Sequence, residues 1–464
     1  MTSTTVITHG IVVTLDEEGT VYQNGAVAVQ GGKIVAVGEN DEIVARFPGA
    51  ETTDAKGRVV MPGFVCSHAH FYGMFSRGMM LHDDAPTNFL EVLERLWWRL
   101  DRALDEKAVR LSAEVCLLAA IKAGTTTIFD HHASPSALEN SLSQIAKCTT
   151  EAGVRASLCY EVTDRNGPEE LAAGIAENVR FAKEVAAMKD NETLHAMFGI
   201  HSCLTMPGPA LALCADAVKQ AGLEETLGYH VHVGEGADDE AKIEAETGAR
   251  VVDLLDKHGL TGPNSIFAHC ISLNDHERDI VVKTGTQVVH NPSSNINNAV
   301  GILDVPDMLK RGVDVMLGTD GMTMDMVQEH KFAYLLHKNA QQNTGAMSGE
   351  SFEMLRANAR MASRCFGTKI GTLSEGAVAD VVVTNYLPPT PLGGGSMPWH
   401  MMFGMGAGCV DSTMAQGKWI MKDRQVLTLD EERIMRESCE HAPIVHGRIP
   451  AIVAADKAKW AKKE

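Results

Sequence analysis

Residues 64–70, FVCSHAH, place two histidines two positions apart at the end of an apolar run. In a β-strand, positions i and i+2 project to the same face, so His68 and His70 would stand side by side. Such a pair is either satisfied within a core or half of a metal clamp. Further ligands arriving from elsewhere in one fold would decide for the clamp. Later apolar runs finish in Asp130, Glu161, His201, His232, His269, His290 and Asp320. Neutral imidazoles on separate strands, joined by a carboxylate, suit a Zn²⁺ or Fe²⁺ ion. In HVHVGE, His230 and His232 share a strand face and Glu235 follows His232 by three residues. One strand end could thus supply both metal binding and proton transfer. Asp320, in VMLGTDG, could bind the ion and accept a proton from its water. His269, in FAHC, is placed to hold or polarise that water or the attacked centre. No lysine ends a strand near the middle of the series, so no carbamylated lysine is expected to bridge two ions, and one ion is expected.

The elements that would position these residues repeat along the chain. A helical stretch ends at glycine and a β-rich run follows, as in AVRLSAEVCLLAAIKAG before TTTIFD and DHERDIVVKTG before TQVVHN. Glycine after a helix is the expected C-cap, and continuous apolar runs are the mark of buried parallel strands. With FVCSHAH as the first, eight strands alternate with helices, which predicts an α/β fold of the (β/α)₈ TIM-type barrel class over residues 62–371. The C-terminal ends of such strands are where active sites form. A doubly wound sheet is the rival architecture, but no Gly-x-Gly-x-x-Gly follows the first strand. Residues 1–61 and 372–430 alternate apolar and polar residues between turn signals, and are expected to pair into one small β-sandwich domain. The Pro-, Gly- and Met-rich stretch 387–408 reads as a long loop. Residues 431–464 read as a C-terminal helical segment ending in a solvated tail, AADKAKWAKKE.

The 41 basic and 60 acidic residues leave a net charge of −19, which argues against nucleic acid or an anionic membrane as a partner. No apolar run approaches the roughly 18 residues of a membrane helix, and the N-terminus lacks a basic segment leading into an apolar one. The ten cysteines include no Cys-x-x-Cys pair and sit mostly in apolar segments, the pattern of reduced thiols in a cytoplasmic protein. We expect a small-molecule substrate and a homodimer or higher homo-oligomer.

VMPGFVCSHAH, HVHVGE, FAHC, HNPSSN and LGTDG, in this order, resemble the metal-dependent amidohydrolase superfamily, in its cytosine-deaminase and chlorohydrolase-like (ATZ/TRZ) branch. The similarity covers nearly the whole chain. The resemblance implies one divalent ion, Zn²⁺ with Fe²⁺ as the alternative, on His68, His70, His232 and Asp320. It implies that Glu235 shuttles protons and that His269 stands beside the attacking hydroxide, with Asp320 also taking part in the chemistry. The implied reaction is removal of an exocyclic amino group from a purine, pteridine or pyrimidine ring. Dechlorination of a triazine-like ring or opening of a cyclic amide are rivals on the same site; Glu235, a proton donor for an amine leaving group, favours deamination. A retired, non-catalytic barrel would be expected to lose metal ligands, and all four are present. After Asp320 the chain reads GMTMDM, where many relatives carry small polar residues.

His201, His132, Glu161, Arg165 and Asn295 are the candidate substrate contacts. Each has a plainer alternative: His131 or His132 capping a helix, Glu161, Asp164 and Arg165 forming a solvated loop, His290 and Asn295 bracing one. Trp97 and Trp98, adjacent on a helix, cannot share a face, so one is expected in the core and the other as a lid. With aromatic residues at 5% of the chain, a polar cavity for a flat ring edged with donors and acceptors is expected.

Overall fold

A computed structural model describes residues 3–189 and 191–460. The eight anticipated strands are present and parallel: Phe64–Ala69, Thr125–His132, Arg155–Tyr160, a fourth in two pieces (Leu194–Ala196 and Phe198–Ser202), Tyr229–Val233, Ile266–His269, Gln287–His290 and Val315–Leu317. Nearly every residue in them is buried, which accounts for runs that do not alternate in polarity. Helices Glu106–Ala123 and Ser141–Ala152 end at Gly124 (φ 78°) and Gly153 (φ 75°), left-handed caps that only glycine adopts without strain.

The strands form a four-stranded and a five-stranded sheet. Single bridges join them at both edges, Val162 to Ile200 and Ala69 to Asp320. At the second seam the amides of Thr319 and Asp320 donate to the His68 carbonyl at 2.9 and 3.0 Å. Asn358 reinforces it, donating to the carbonyls of Val65 (2.6 Å) and Leu317 (2.8 Å). Val65, Phe129, Cys159, Met197, Ile266, Val289 and Met316, drawn from seven of the eight strands, meet in one apolar cluster, which Met361 and its neighbours on helix Glu350–Phe366 close from below.

The two chain ends do pair. Val59–Pro62 runs antiparallel to Val381–Thr384, uniting N- and C-terminal strands in one nine-stranded sheet. Its two faces bury different clusters, one around Ile7, Val27, Val60, Val381 and Met414, the other around Val6, Ala28 and Ile43. Arg155 and Asp380, 0% and 1% exposed, tie this sheet to the third parallel strand through a 2.8 Å ion pair. Truncating one partner of such a pair leaves a buried charge uncompensated. Asp380→Ala is therefore expected to destabilise the fold by about 3–5 kcal/mol, read as a lower urea midpoint; an unchanged midpoint would show that Arg155 is satisfied without it.

Two expectations are corrected. The 387–408 stretch contains a helix, Met397–Gly404. The C-terminal helix runs from Glu431 to Trp460, and Asp456 takes two 2.8 Å hydrogen bonds from Arg102, so the expected solvated tail is helical and tied down at Asp456, while its other described side chains are exposed. Residues 461–464 of that segment lie outside the described residues. No helix among the described residues is long and apolar enough to cross a membrane.

Candidate active site

His68 and His70 emerge from the first strand with ring centroids 4.8 Å apart. The seam with the last strand brings Asp320 to them: its Oδ1 lies 3.1 Å from His70 Nε2 and 3.7 Å from His68 Nε2. His232, on the fifth strand, puts its Nε2 3.1 Å from that of His70. The tautomers follow from the other ring nitrogens. His70 Nδ1 donates to the His131 carbonyl at 2.5 Å, and His232 Nδ1 donates to the His201 carbonyl at 2.7 Å. Both Nε2 atoms then face each other as lone pairs, an arrangement that calls for a cation between them. His68 Nε2 is buried without a partner and points toward the same Asp320 oxygen. Ligand atoms of a tetrahedral ion with bonds near 2.0–2.1 Å lie about 3.3 Å apart. The donor atoms fall into overlapping groups, His68, His70 and Asp320 in one and His68, His232 and His269 in another, whose chemistry suits an ion of this kind.

Gly234, with φ 52°, turns the chain beyond the fifth strand and sets Glu235 at the mouth of the site. Its Oε2 lies 3.4 Å from His269 Nε2, and its Oε1 accepts from Asn298 Nδ2 at 3.3 Å. Burial first, then the Asp320 charge, raises the Glu235 pKa well above the carboxylate range, so the group is held as an acid. Burial also pushes Asp320 upward, but the surrounding imidazoles, His70 first, outweigh it and leave this carboxyl ionised. His269 donates from Nδ1 to Asn295 Oδ1 at 2.9 Å, which turns its Nε2 toward Glu235 and Asp320. His269 (φ 74°) and Asp320 (φ 52°) both hold left-handed backbone, the kind of local strain that clusters at functional sites.

The site opens into a narrow cavity with about 40 Å³ of room for the centres of water-sized spheres. Its lining mixes polar groups, among them Glu161, His201, Glu235 and Asp239, with Tyr72, Phe89, Leu93, Trp97, Trp98 and Leu204. The expected polar lining is corrected in part, because Tyr72, Phe89, Trp97 and Trp98 also border the cavity. Both tryptophans reach the cavity, where one had been assigned to the core.

Of the expected substrate contacts, His201 and Glu161 line the cavity. The other three do not. The second strand alternates, so His131 faces the site, 3.1 Å from Glu161 Oε2, while His132 turns away and bonds Ser134 Oγ at 2.8 Å. Arg165 is ion-paired to Asp101 and lies behind Trp98, its guanidinium carbon 5.1 Å from that ring. Asn295 braces His269. Asn298, Tyr72 and Phe89 were missed: Asn298 lies in a helix that carries no pattern, and the two aromatics lie in connecting segments that follow the first strand.

Residues 59–420 match the amidohydrolase family. The chain is 30% identical over 449 residues to the 5'-deoxyadenosine deaminase of Methanosarcina mazei, covering 96% of this chain and 99% of that one. Among solved structures, an adenosine deaminase from Xanthomonas campestris with bound zinc superposes with a TM-score of 0.82 at 22% identity, over 96% and 98% of the two chains. An atrazine chlorohydrolase from Arthrobacter aurescens TC1 complexed with zinc does so with a TM-score of 0.77 at 19% identity, over 95% and 100%. The chain belongs to the amidohydrolase family and is a hydrolase that acts on carbon–nitrogen bonds.

Proposed function

We propose that the protein is a metal-dependent aminohydrolase that replaces an exocyclic amino group of a nitrogen heterocycle with hydroxyl and releases ammonia. The observation that carries this reading is Glu235, a buried acid held 3.4 Å from His269 beside three imidazoles and a carboxylate. His68, His70, His232 and Asp320 would hold one ion, Zn²⁺ by its donor set, with Fe²⁺ the alternative. When bound, such an ion lowers the pKa of water from 15.7 toward about 7 and supplies hydroxide at neutral pH.

The residues of the chain do the rest. Glu235 donates its proton to the ring nitrogen beside the attacked carbon, so electrons of the C=N bond have somewhere to go. His269, aimed by Asn295, presents its Nε2 as an acceptor that orients the attacking water. Asp320 takes the proton of the attacking oxygen, and that proton, relayed through the emptied Glu235 carboxylate, goes to the departing amine, which leaves as ammonia. Halide departure would need no such donor, so Glu235 favours deamination over dechlorination. The relatives' substrates bring an adenosine-type nucleoside into consideration for this chain, and the Trp97, Trp98 and Phe89 rings suit the stacking of a flat ring.

His201 is the substrate contact with most to lose. Burial lowers its pKa to about 4, so it is neutral at pH 7; its Nδ1 lies 2.6 Å from Thr205 Oγ1 and its Nε2 faces the cavity beside Glu161. His201→Ala is expected to reduce kcat/KM at least about tenfold, about 1.4 kcal/mol. Metal content should be retained, because the His201 carbonyl that orients His232 survives the substitution. Unchanged kinetics would make His201 a packing residue. The reading as a whole is tested by assaying metal-replete protein for ammonia release from adenosine-type nucleosides, aminopterins and aminopyrimidines; silence on all three classes would overturn it.

We propose further that residues 62–371 act as one closed (β/α)₈ barrel. The bridges at both sheet edges and the seven-strand interior cluster support this. Residues 1–61 and 372–430 would form a small β-sandwich domain: the far edge of its sheet curls back so that Ile34 donates to the Ala377 carbonyl at 2.8 Å, enclosing the Ile7 cluster. Residues 431–460 would be the described part of the C-terminal helical segment expected over 431–464.

A further inference from the structure

His230 is 1% exposed, carries no role in the reaction above, and points its Nε2 at His68 Nδ1 from 2.9 Å. The other two imidazoles of the ligand set are held by main-chain carbonyls, His70 by that of His131 and His232 by that of His201. Only His68 has no carbonyl in that place. For His68 Nε2 to present a lone pair, Nδ1 must carry the proton, and a proton on Nδ1 needs an acceptor in this dry interior. His230 Nε2 provides it. In a strand, residues two apart share a face, so the strand end that offers His232 also offers His230, one layer deeper and directly behind the first strand.

We propose that His230 is a positioning residue that fixes the tautomer and ring orientation of His68 and thereby sets the affinity of the metal site. The inference rests on the metal-centre reading given above and adds to it a residue with no contact to substrate. Outer-shell partners of metal-ligating histidines typically account for 10–100-fold in metal affinity. His230 is the only one of the three orienting groups that is a side chain, so it alone can be removed by substitution.

The test compares wild type, His230→Leu and His230→Gln, measuring zinc dissociation constants by competition with a chromophoric chelator and melting temperatures of the metal-free proteins. Glutamine carries an acceptor oxygen near the position of a histidine Nε2; leucine fills the space without one. The expected result is zinc binding weakened about 10–100-fold in His230→Leu and restored to within about threefold of wild type in His230→Gln, with both metal-free proteins melting close to wild type. Leucine that binds zinc as tightly as wild type would overturn the proposal. So would equal weakening in both variants accompanied by a fall in metal-free melting temperature, which would mark His230 as packing alone. Wild-type protein that takes up no zinc is a separate result: it would overturn the metal centre itself, and this inference with it.

Discussion

Glu235→Gln is expected to lower kcat by about 10²–10⁴ while leaving metal content at the wild-type level. The substitution keeps the shape of a side chain that is 8% exposed and can keep its contact with Asn298, but it removes the transferable proton. The two titratable neighbours in contact with Glu235 offer no substitute. His269 is committed to Asn295 through Nδ1, and Asp320 is held ionised beside His70, so neither can serve as the acid. Single-turnover rates and elemental analysis on the same preparation check the prediction. Near-normal turnover would remove Glu235 from the proton pathway, and loss of the ion would show that it acts as a ligand.

The second large effect is expected at His70. Its Nε2 is the closest neighbour in the cluster to both His232 Nε2 and Asp320 Oδ1, at 3.1 Å from each, so it sits at the centre of the ligand set. His70→Ala should weaken metal binding by more than about 100-fold, beyond the 10–100-fold cost of losing an outer-shell partner, and take turnover to background. Wild-type protein should carry about one zinc or iron per chain by elemental analysis. A His70→Ala protein with stoichiometric metal would strike His70 from the ligands, and two tightly held ions per wild-type chain would refute a one-ion mechanism.

Much of this was legible in the sequence because one signal repeated. Seven of the eight apolar runs follow a helical stretch, most of them closed by glycine, and the titratable residue at the end of each run marks where strand gives way to loop. The strand ends offered nine candidates, and the choice of His68, His70, His232 and Asp320 as the expected ligands came from the resemblance to the amidohydrolases. What sequence could not supply was orientation. His131 and His132 are adjacent and identical, and only the pairing of the second strand decides which of them turns inward. Arg165 has the charge of a substrate contact, yet Asp101, far off in sequence, holds it behind Trp98. Composition misled about the cavity wall because a chain-wide aromatic fraction says nothing of where those rings gather. The docked terminal helix was obscured by its charges, which serve in part as partners: Arg433 pairs with Glu114 at 2.9 Å and Asp456 with Arg102 at 2.8 Å.

The seam between Ala69 and Asp320 gives the site a place in time as well as in space. His68 and His70 belong to the first strand of the series to be synthesised and Asp320 to the end of the last, so no nascent chain can assemble the set until the whole series has emerged. Bringing those two strands together carries the entropy of closing the longest loop of the series, and contacts of such wide separation form late. An ion held by His68, His70 and Asp320 would bind the closed chain and not the open one, and so would stabilise closure by mass action. In that role it is a clasp: the same atoms that arm the hydroxide also latch the first strand to the last, and a chain starved of metal would lose its latch together with its chemistry.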